Sequence, residues 1–190
     1  MKERPILFSA PMVRSILAGN KTQTRRVMKP QPTYGKPWHG WVIDPDAMDI
    51  PIAMCPYGIP GDRLWVREPV GIHCRPEDGL EGYCVYRADF PDGPDVTFEP
   101  HWTPAMHMPR WASRITLEIT GVRVQRLQEI SDVDMRAEGI DFLLEPDGRP
   151  ATHYNRQSFA TLWDAINGKR AGCAWAADPW VWAVEFTQVR

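Results

Sequence analysis

Lys21, Thr24 and Arg26 lie close together in the run Gly19-Asn20-Lys21-Thr22-Gln23-Thr24-Arg25-Arg26. An amine, a hydroxyl and a guanidinium at this spacing match three needs of an amide hydrolase: a base, a nucleophile, and an anchor for an oxyanion or phosphate. The Thr24 hydroxyl is too weakly acidic to act alone. Lys21 can take its proton only if the ammonium is destabilised, and neighbouring Arg25 and Arg26 push that way. A helix ending just before Lys21 pushes back, because its C-terminus favours a cation, so burial has to decide. In an extended strand Lys21 and Thr24 point to opposite faces, whereas in a helical turn they are neighbours. Thr24 and Arg26 share a face once a strand starts. A turn feeding a strand therefore aims all three at one point, and a basic turn in open water is equally compatible with the residues alone.

Other chemistry is thinly represented. There is no phosphate-binding glycine loop, dinucleotide fingerprint, H-E-x-x-H or G-x-S-x-G. Cys55, His73, Cys74 and Cys84 are irregularly spaced and include no C-x-x-C pair, so incidental thiols are expected rather than a metal site, and no cofactor is implied. His101 and His107 flank Trp102 without an identifiable partner. Of nine Trp, Trp163, Trp180 and Trp182 lie in periodic segments and are expected in the core, while Trp65 shares its strand face with charged groups. Trp38, Trp41, Trp102 and Trp111 fall in Pro-rich stretches, where they either pack loops or stack on a base; Trp38 and Trp102 are the candidates for stacking.

The elements that must hold the Lys21 segment can be read from pattern. Pro5–Phe8 is a short strand, and Ser9 then caps a helix with Pro11 in its first turn, ending at Gly19. Gln23–Met28 reads as a strand stopped by Pro30 and Pro32. Arg63–Glu68 and Tyr83–Arg87 are further strand candidates. Arg114–Leu127 alternates through Ile115, Leu117 and Ile119 and resumes at Val122 and Val124, so Gly121 marks a bulge or a bend. Ser131–Glu138 is a short helix with a capping residue and a Gly139 stop. Phe159, Leu162, Trp163 and Ile166 have helical spacing, ending at Asn167-Gly168. Trp180–Val189 is the last strand, with Trp180, Trp182, Val184 and Phe186 on one face. The expectation is one α+β domain over residues 1–190, on a largely antiparallel, barrel-like sheet.

Composition narrows the function classes. With 190 residues, 24% charged, 43% hydrophobic and a net charge of −2, the chain is neither disordered nor fibrous. No apolar run is long enough for a membrane span and no signal peptide is evident, so a cytoplasmic protein is expected. Charge is segregated: seven Lys/Arg and no acid lie between Arg4 and Ile43, whereas residues 44–190 carry 14 basic and 23 acidic groups. This predicts an anion-facing N-terminal surface. It suits a nucleoside or a short RNA and argues against a grip on long duplex DNA.

The same run resembles the signature of the ASCH domain, G-x-K-x-x-x-x-R, which Gly19, Lys21 and Arg26 match position for position. ASCH belongs to the PUA-like superfamily of β-barrel RNA-associated domains. Gly61-Asp62-Arg63-Leu64-Trp65-Val66 is similar to that family's G-D-x-L-x-V strand, and Trp180–Val189 fits its closing strand. The likeness spans about residues 5–29, 60–68, 113–140 and 178–189. It implies a PUA-like β-barrel with short flanking helices, long loop insertions at about 30–59 and 69–112, and an added helix at about 154–167. The Cys55–Gly58 run before Pro60 looks like that of longer phage and prophage members.

Small bacterial members hydrolyse 4-acetylcytidine with a Lys, a Thr three residues on and a Glu on a later short helix. By that resemblance Lys21, Thr24 and Glu138 are catalytic, with Glu129 the weaker choice for the acid; Gly19, Arg25 and Arg26 are substrate contacts. Glu138 sits near a helix C-terminus, where a carboxylate is disfavoured by ~0.3–1 kcal/mol, which suits a general acid. A non-catalytic RNA-binding module and a metal-independent ribonuclease would use the same cleft. A closed pocket favours the hydrolase; an open basic groove favours the other two.

Overall fold

In the computed structural model, residues 1–32, 37–38, 41–42, 52–73, 83–90, 101–139 and 156–189 are described. The chain is α+β and mostly sheet. In order it runs β1 (Glu3–Leu7), α1 (Ala10–Leu17), β2 (Gln23–Val27), β3 (Pro37–Trp38), β4 (Trp41–Val42), β5 (Arg63–Arg67), β6 (Val70–His73) and β7 (Tyr83–Tyr86). It continues through β8 (Trp102–Thr103), β9 (Thr116–Arg126), α2 (Asp132–Ala137), α3 (Arg156–Asn167) and β10 (Trp180–Val189). Five strands form the main sheet in the order β1-β5-β9-β10-β2, with β1 parallel to β5 and the other pairs antiparallel. A small sheet, β7-β6-β8, lies within the second expected insertion; β7 falls on the Tyr83–Arg87 strand candidate, while β6 and β8 stand where loop was expected.

The sheet is open where a barrel was expected. Among the described residues no ladder joins edge strand β1 to edge strand β2. Helix α1 lies between them in the chain, and its Val13 and Ile16 enter the core with Phe8, Leu64, Leu117 and Phe186. A side chain makes the crossing instead, as Arg26 Nη2 on β2 donates to the Leu7 carbonyl at the end of β1 (2.7 Å).

β10 is buried on both faces, which explains its near-continuous apolar run. Trp182, Val184 and Phe186 point into the main core. Val181 points the other way, into a second core of Leu127, Ile130, Met135, Phe159 and Trp163 beneath α2 and α3. Gly121 stands at the register shift between β9 and β10, where any Cβ would meet the Glu185 carboxylate at 2.6 Å. Among the described residues no helix is long and apolar enough to cross a membrane.

Candidate active site

Local structure brings Lys21 to the ends of two helices. Gly19 closes α1 in the left-handed region (φ 77°), as a helix-terminating glycine does. The Asn20 and Lys21 N–H groups then both donate to the Ser15 carbonyl (2.9 and 3.1 Å). Lys21 forms an isolated antiparallel bridge with Glu138, and Thr22 N–H donates to the Ala137 carbonyl (2.8 Å). Glu138 is the C-cap of α2, whose start is capped by Ser131 Oγ accepting from the Asp134 N–H. Ser9, by contrast, stands at the N-cap of α1 without a side-chain capping bond.

The Lys21 ammonium is 3% exposed and has all three of its protons placed. It donates to the Gln23 carbonyl (2.8 Å), the Glu138 carbonyl (2.9 Å) and Glu138 Oε2 (2.8 Å). Burial lowers its pKa from the ordinary lysine value; Glu138 pulls it back up, and Arg26 and Arg25 lower it again. The balance is downward, the direction a general base requires.

Arg25 is buried behind this pair. It donates to Glu138 Oε1 (3.2 Å), Gln23 Oε1 (2.6 Å) and Asp134 Oδ2 (3.0 Å). Its two terminal nitrogens are thus held by Glu138, Asp134 and Gln23, which orients Glu138, while its buried Nε makes no hydrogen bond among the described residues. Asp134 also accepts from Gln23 Nε2 (3.1 Å) and Arg123 (2.9 Å). Burial pushes the Asp134 carboxyl up, but the Gln23 hydrogen bond with Arg25 and Arg123 overrides this and brings it down to about 2. Arg26 is half-buried, its guanidinium 5.2 Å from the Phe8 ring centroid and beside the Tyr57 phenol. Tyr57 belongs to the Cys55–Gly58 run, which ties that segment to the site.

These groups open onto a cavity of about 270 Å³, just under the roughly 300–1,000 Å³ typical of ligand pockets. One wall, from β2 and the end of α2, carries Lys21, Thr24, Arg25, Arg26 and Glu138. From α1 and α3 the cavity is also lined by Pro11, Met12, Phe159, Leu162, Trp163 and Ile166, with polar Ser9 just before α1 and Asn167 at the end of α3. Thr24 is 1% exposed, and no hydrogen bond occupies its hydroxyl among the described residues. A buried ammonium–carboxylate pair, a hydroxyl and a guanidinium on one small cavity can activate an oxygen nucleophile and protonate a leaving group.

No protein-family model, no curated protein and no solved structure matches the chain. The site therefore has to be read from its own geometry.

Of the residues expected here, Lys21, Thr24, Arg25, Arg26 and Glu138 come together on the cavity. Gly19 does not line it; it lines a separate groove on the far side of Lys21 and serves to end α1. Trp102 lies in the small sheet, edge-on to Phe90 (6.3 Å) and beneath Arg87 (5.8 Å), and is not part of the cavity wall. The Trp38 side chain lies outside the described residues, although its backbone pairs with Trp41. Glu129 accepts from the Arg126 N–H (2.9 Å) and is likewise absent from the wall. Cys55 is buried and Cys84 half-buried, while Cys74 and the His73 side chain lie outside the described residues.

Sequence reasoning missed Asp134, Gln23, Gly139 and the α3 wall as parts of the site. Gly139 (φ 74°) passes so close to α1 that a Cβ would lie 2.1 Å from Ser15 Oγ and 2.9 Å from Lys21 Cβ. The stop signal at Gly139 and the apolar stripe of α3 were visible in the chain; what they face was not.

Proposed function

We propose that this chain is an ASCH-type hydrolase of the PUA-like superfamily, cleaving the amide of an acylated nucleoside or nucleobase such as 4-acetylcytidine. On this reading the open sheet with α1 across its gap takes the place of the family's barrel. One observation carries the proposal: the buried Lys21–Glu138 pair, 2.8 Å apart, shares a small bounded cavity with Thr24 and Arg26. A cavity of this size suits a nucleoside better than a run of nucleotides.

The Lys21 ammonium passes a proton to Glu138 Oε2 along their hydrogen bond, leaving a neutral amine and a neutral acid. Thr24 Oγ attacks the acyl carbon and gives its proton to the Lys21 amine, while Arg26 faces the developing oxyanion. The C–N bond breaks as Glu138 protonates the departing nitrogen, which leaves the acyl group esterified to Thr24. Acylation thus returns Lys21 to the ammonium and Glu138 to the carboxylate. After the same proton shift to Glu138, the Lys21 amine takes a proton from the attacking water and hands it to Thr24 Oγ as the ester C–O bond breaks. The carboxylic acid leaves, the Thr24 hydroxyl is regenerated and Glu138 returns its proton to Lys21. Arg25 holds Glu138 in place throughout.

The test is release of cytidine from 4-acetylcytidine. Wild type should turn over, and Thr24→Ala should lose turnover while still binding the nucleoside. If wild type hydrolyses neither 4-acetylcytidine nor related acyl-nucleosides, the hydrolase reading falls. Salt-dependent RNA binding in its place would favour the non-catalytic module.

A further inference from the structure

We infer that the α1–α3 wall is an acyl-binding surface, so that the preferred substrate carries an acyl group larger and more apolar than acetyl. This inference rests on the hydrolase reading and specifies its substrate.

The reaction itself orients the ligand. The scissile carbonyl must sit by Thr24 and Lys21, with the departing nitrogen toward Glu138, the proton donor. The nucleobase therefore lies on the charged wall of β2 and α2, where its hydrogen-bonding edges find partners. The substituent on the acyl carbon is left to the mainly apolar lining from α1 and α3.

The α1 and α3 lining is mainly apolar, its polar members being Ser9 just before α1 and Asn167 at the end of α3. Trp163 Nε1, its one ring donor, is already given to the Cys173 carbonyl (2.7 Å). Phe159 and Trp163 line the cavity while packing into the second core, against which Leu162 is partly buried; Ile166, one helical turn from Leu162, and Met12 of α1 complete the aliphatic lining. Leu162 and Met12 are only half-buried, and Ile166 is 49% exposed. An aliphatic surface left wet in this way gains by covering an apolar ligand, and a base edge placed there would lose its hydrogen bonds to water.

Burying each added methylene is worth about fourfold in binding (from ~0.8 kcal/mol per CH₂). From acetyl to butanoyl, kcat/KM should therefore rise roughly tenfold or more. The experiment compares 4-acetyl-, 4-butanoyl- and 4-benzoylcytidine as substrates of wild type and of Ile166→Asn and Leu162→Asn. The expected result is preference for butanoyl or benzoyl over acetyl in wild type, with that ratio collapsing toward one in the variants. Acetyl preferred or equal, with turnover intact, overturns the inference and leaves the hydrolase reading standing. Should no compound be turned over, the hydrolase reading fails separately. Calorimetric binding of the same compounds then decides the wall: tighter binding of butanoyl, lost in Ile166→Asn, supports it, and equal affinities overturn it.

Discussion

The Lys21–Glu138–Arg25 cluster and the Glu68–Arg114–Asp89 cluster are made of the same kinds of group. In each, a largely shielded glutamate, Glu138 less completely than Glu68, meets one or two cations at 2.8–3.2 Å. Their surroundings differ. Arg114 grips both oxygens of Glu68 (2.9 and 3.2 Å) and reaches on to Asp89, with the Tyr86 ring 3.9 Å from its guanidinium carbon. That arrangement fastens the small sheet to the main one, and neither Glu68 nor Arg114 lines the cavity. Glu138 instead divides its oxygens between Lys21 and Arg25 beside a cavity that also holds a hydroxyl. A buried ion pair is thus weak evidence of a site by itself; a cavity and an unoccupied nucleophile next to it make the difference.

The contrast can be broken at its centre first. Lys21→Met removes the base and should lower turnover of acyl-cytidines by about 10²–10⁴-fold, read by steady-state kinetics. Arg114→Met should do the reverse. Stripping the buried Glu68 of its partner should cost stability by about 3–5 kcal/mol, read from urea unfolding, with kcat of the folded fraction close to wild type. Equal losses of kcat in the two variants would erase the distinction drawn here.

A smaller effect is expected at Gly139. Gly139→Ala must adopt a left-handed conformation and displace Ser15, for a destabilisation of order 1–3 kcal/mol. Because Glu138 is its neighbour, kcat should fall as well, whereas a glycine serving only as a helix stop would change stability alone.

The smallest expected effect is in pH dependence, where the clusters differ in sign. Asp134, held at about 2 in the folded chain against an ordinary 3.8, contributes stability that is present above about pH 4 and lost as pH falls toward 2. Asp134→Asn should flatten that acid limb in unfolding measured across pH. Burial raises the Glu68 carboxyl, despite the opposing pull of Arg114. Its contribution is accordingly present below the ordinary carboxylate range and declines as pH rises through the raised value, so Glu68→Gln should flatten the curve on that side.

Much of this was legible along the chain. The helix at Ser9–Gly19, the long strand at 116–126, the short helix ending at Glu138 and the apolar stripe of α3 follow from local period and stop signals, which act over a few residues. The seven cations before Ile43 were legible too, but not their fate. Of those among the described residues, only Lys21 and Arg25 are buried, paired with Glu138 and Asp134, whereas Arg4 (paired with Asp62), Arg14 and Arg26 are half-buried and Lys29 is exposed. Partners more than one hundred residues apart, such as Lys21 and Glu138, leave no mark in a local pattern.

The sequence by itself determined which groups were available for chemistry, an amine, a hydroxyl, two guanidiniums and a carboxylate, and roughly which elements carry them. Only the tertiary structure decided which of them are buried, paired or facing a cavity. The pKa of Lys21, the grip of Arg25 on protein carboxylates and the apolar lining that α1 and α3 bring to the cavity all depend on desolvation and on distances of a few ångströms. Such quantities exist only once strands and helices from both ends of the chain have packed together.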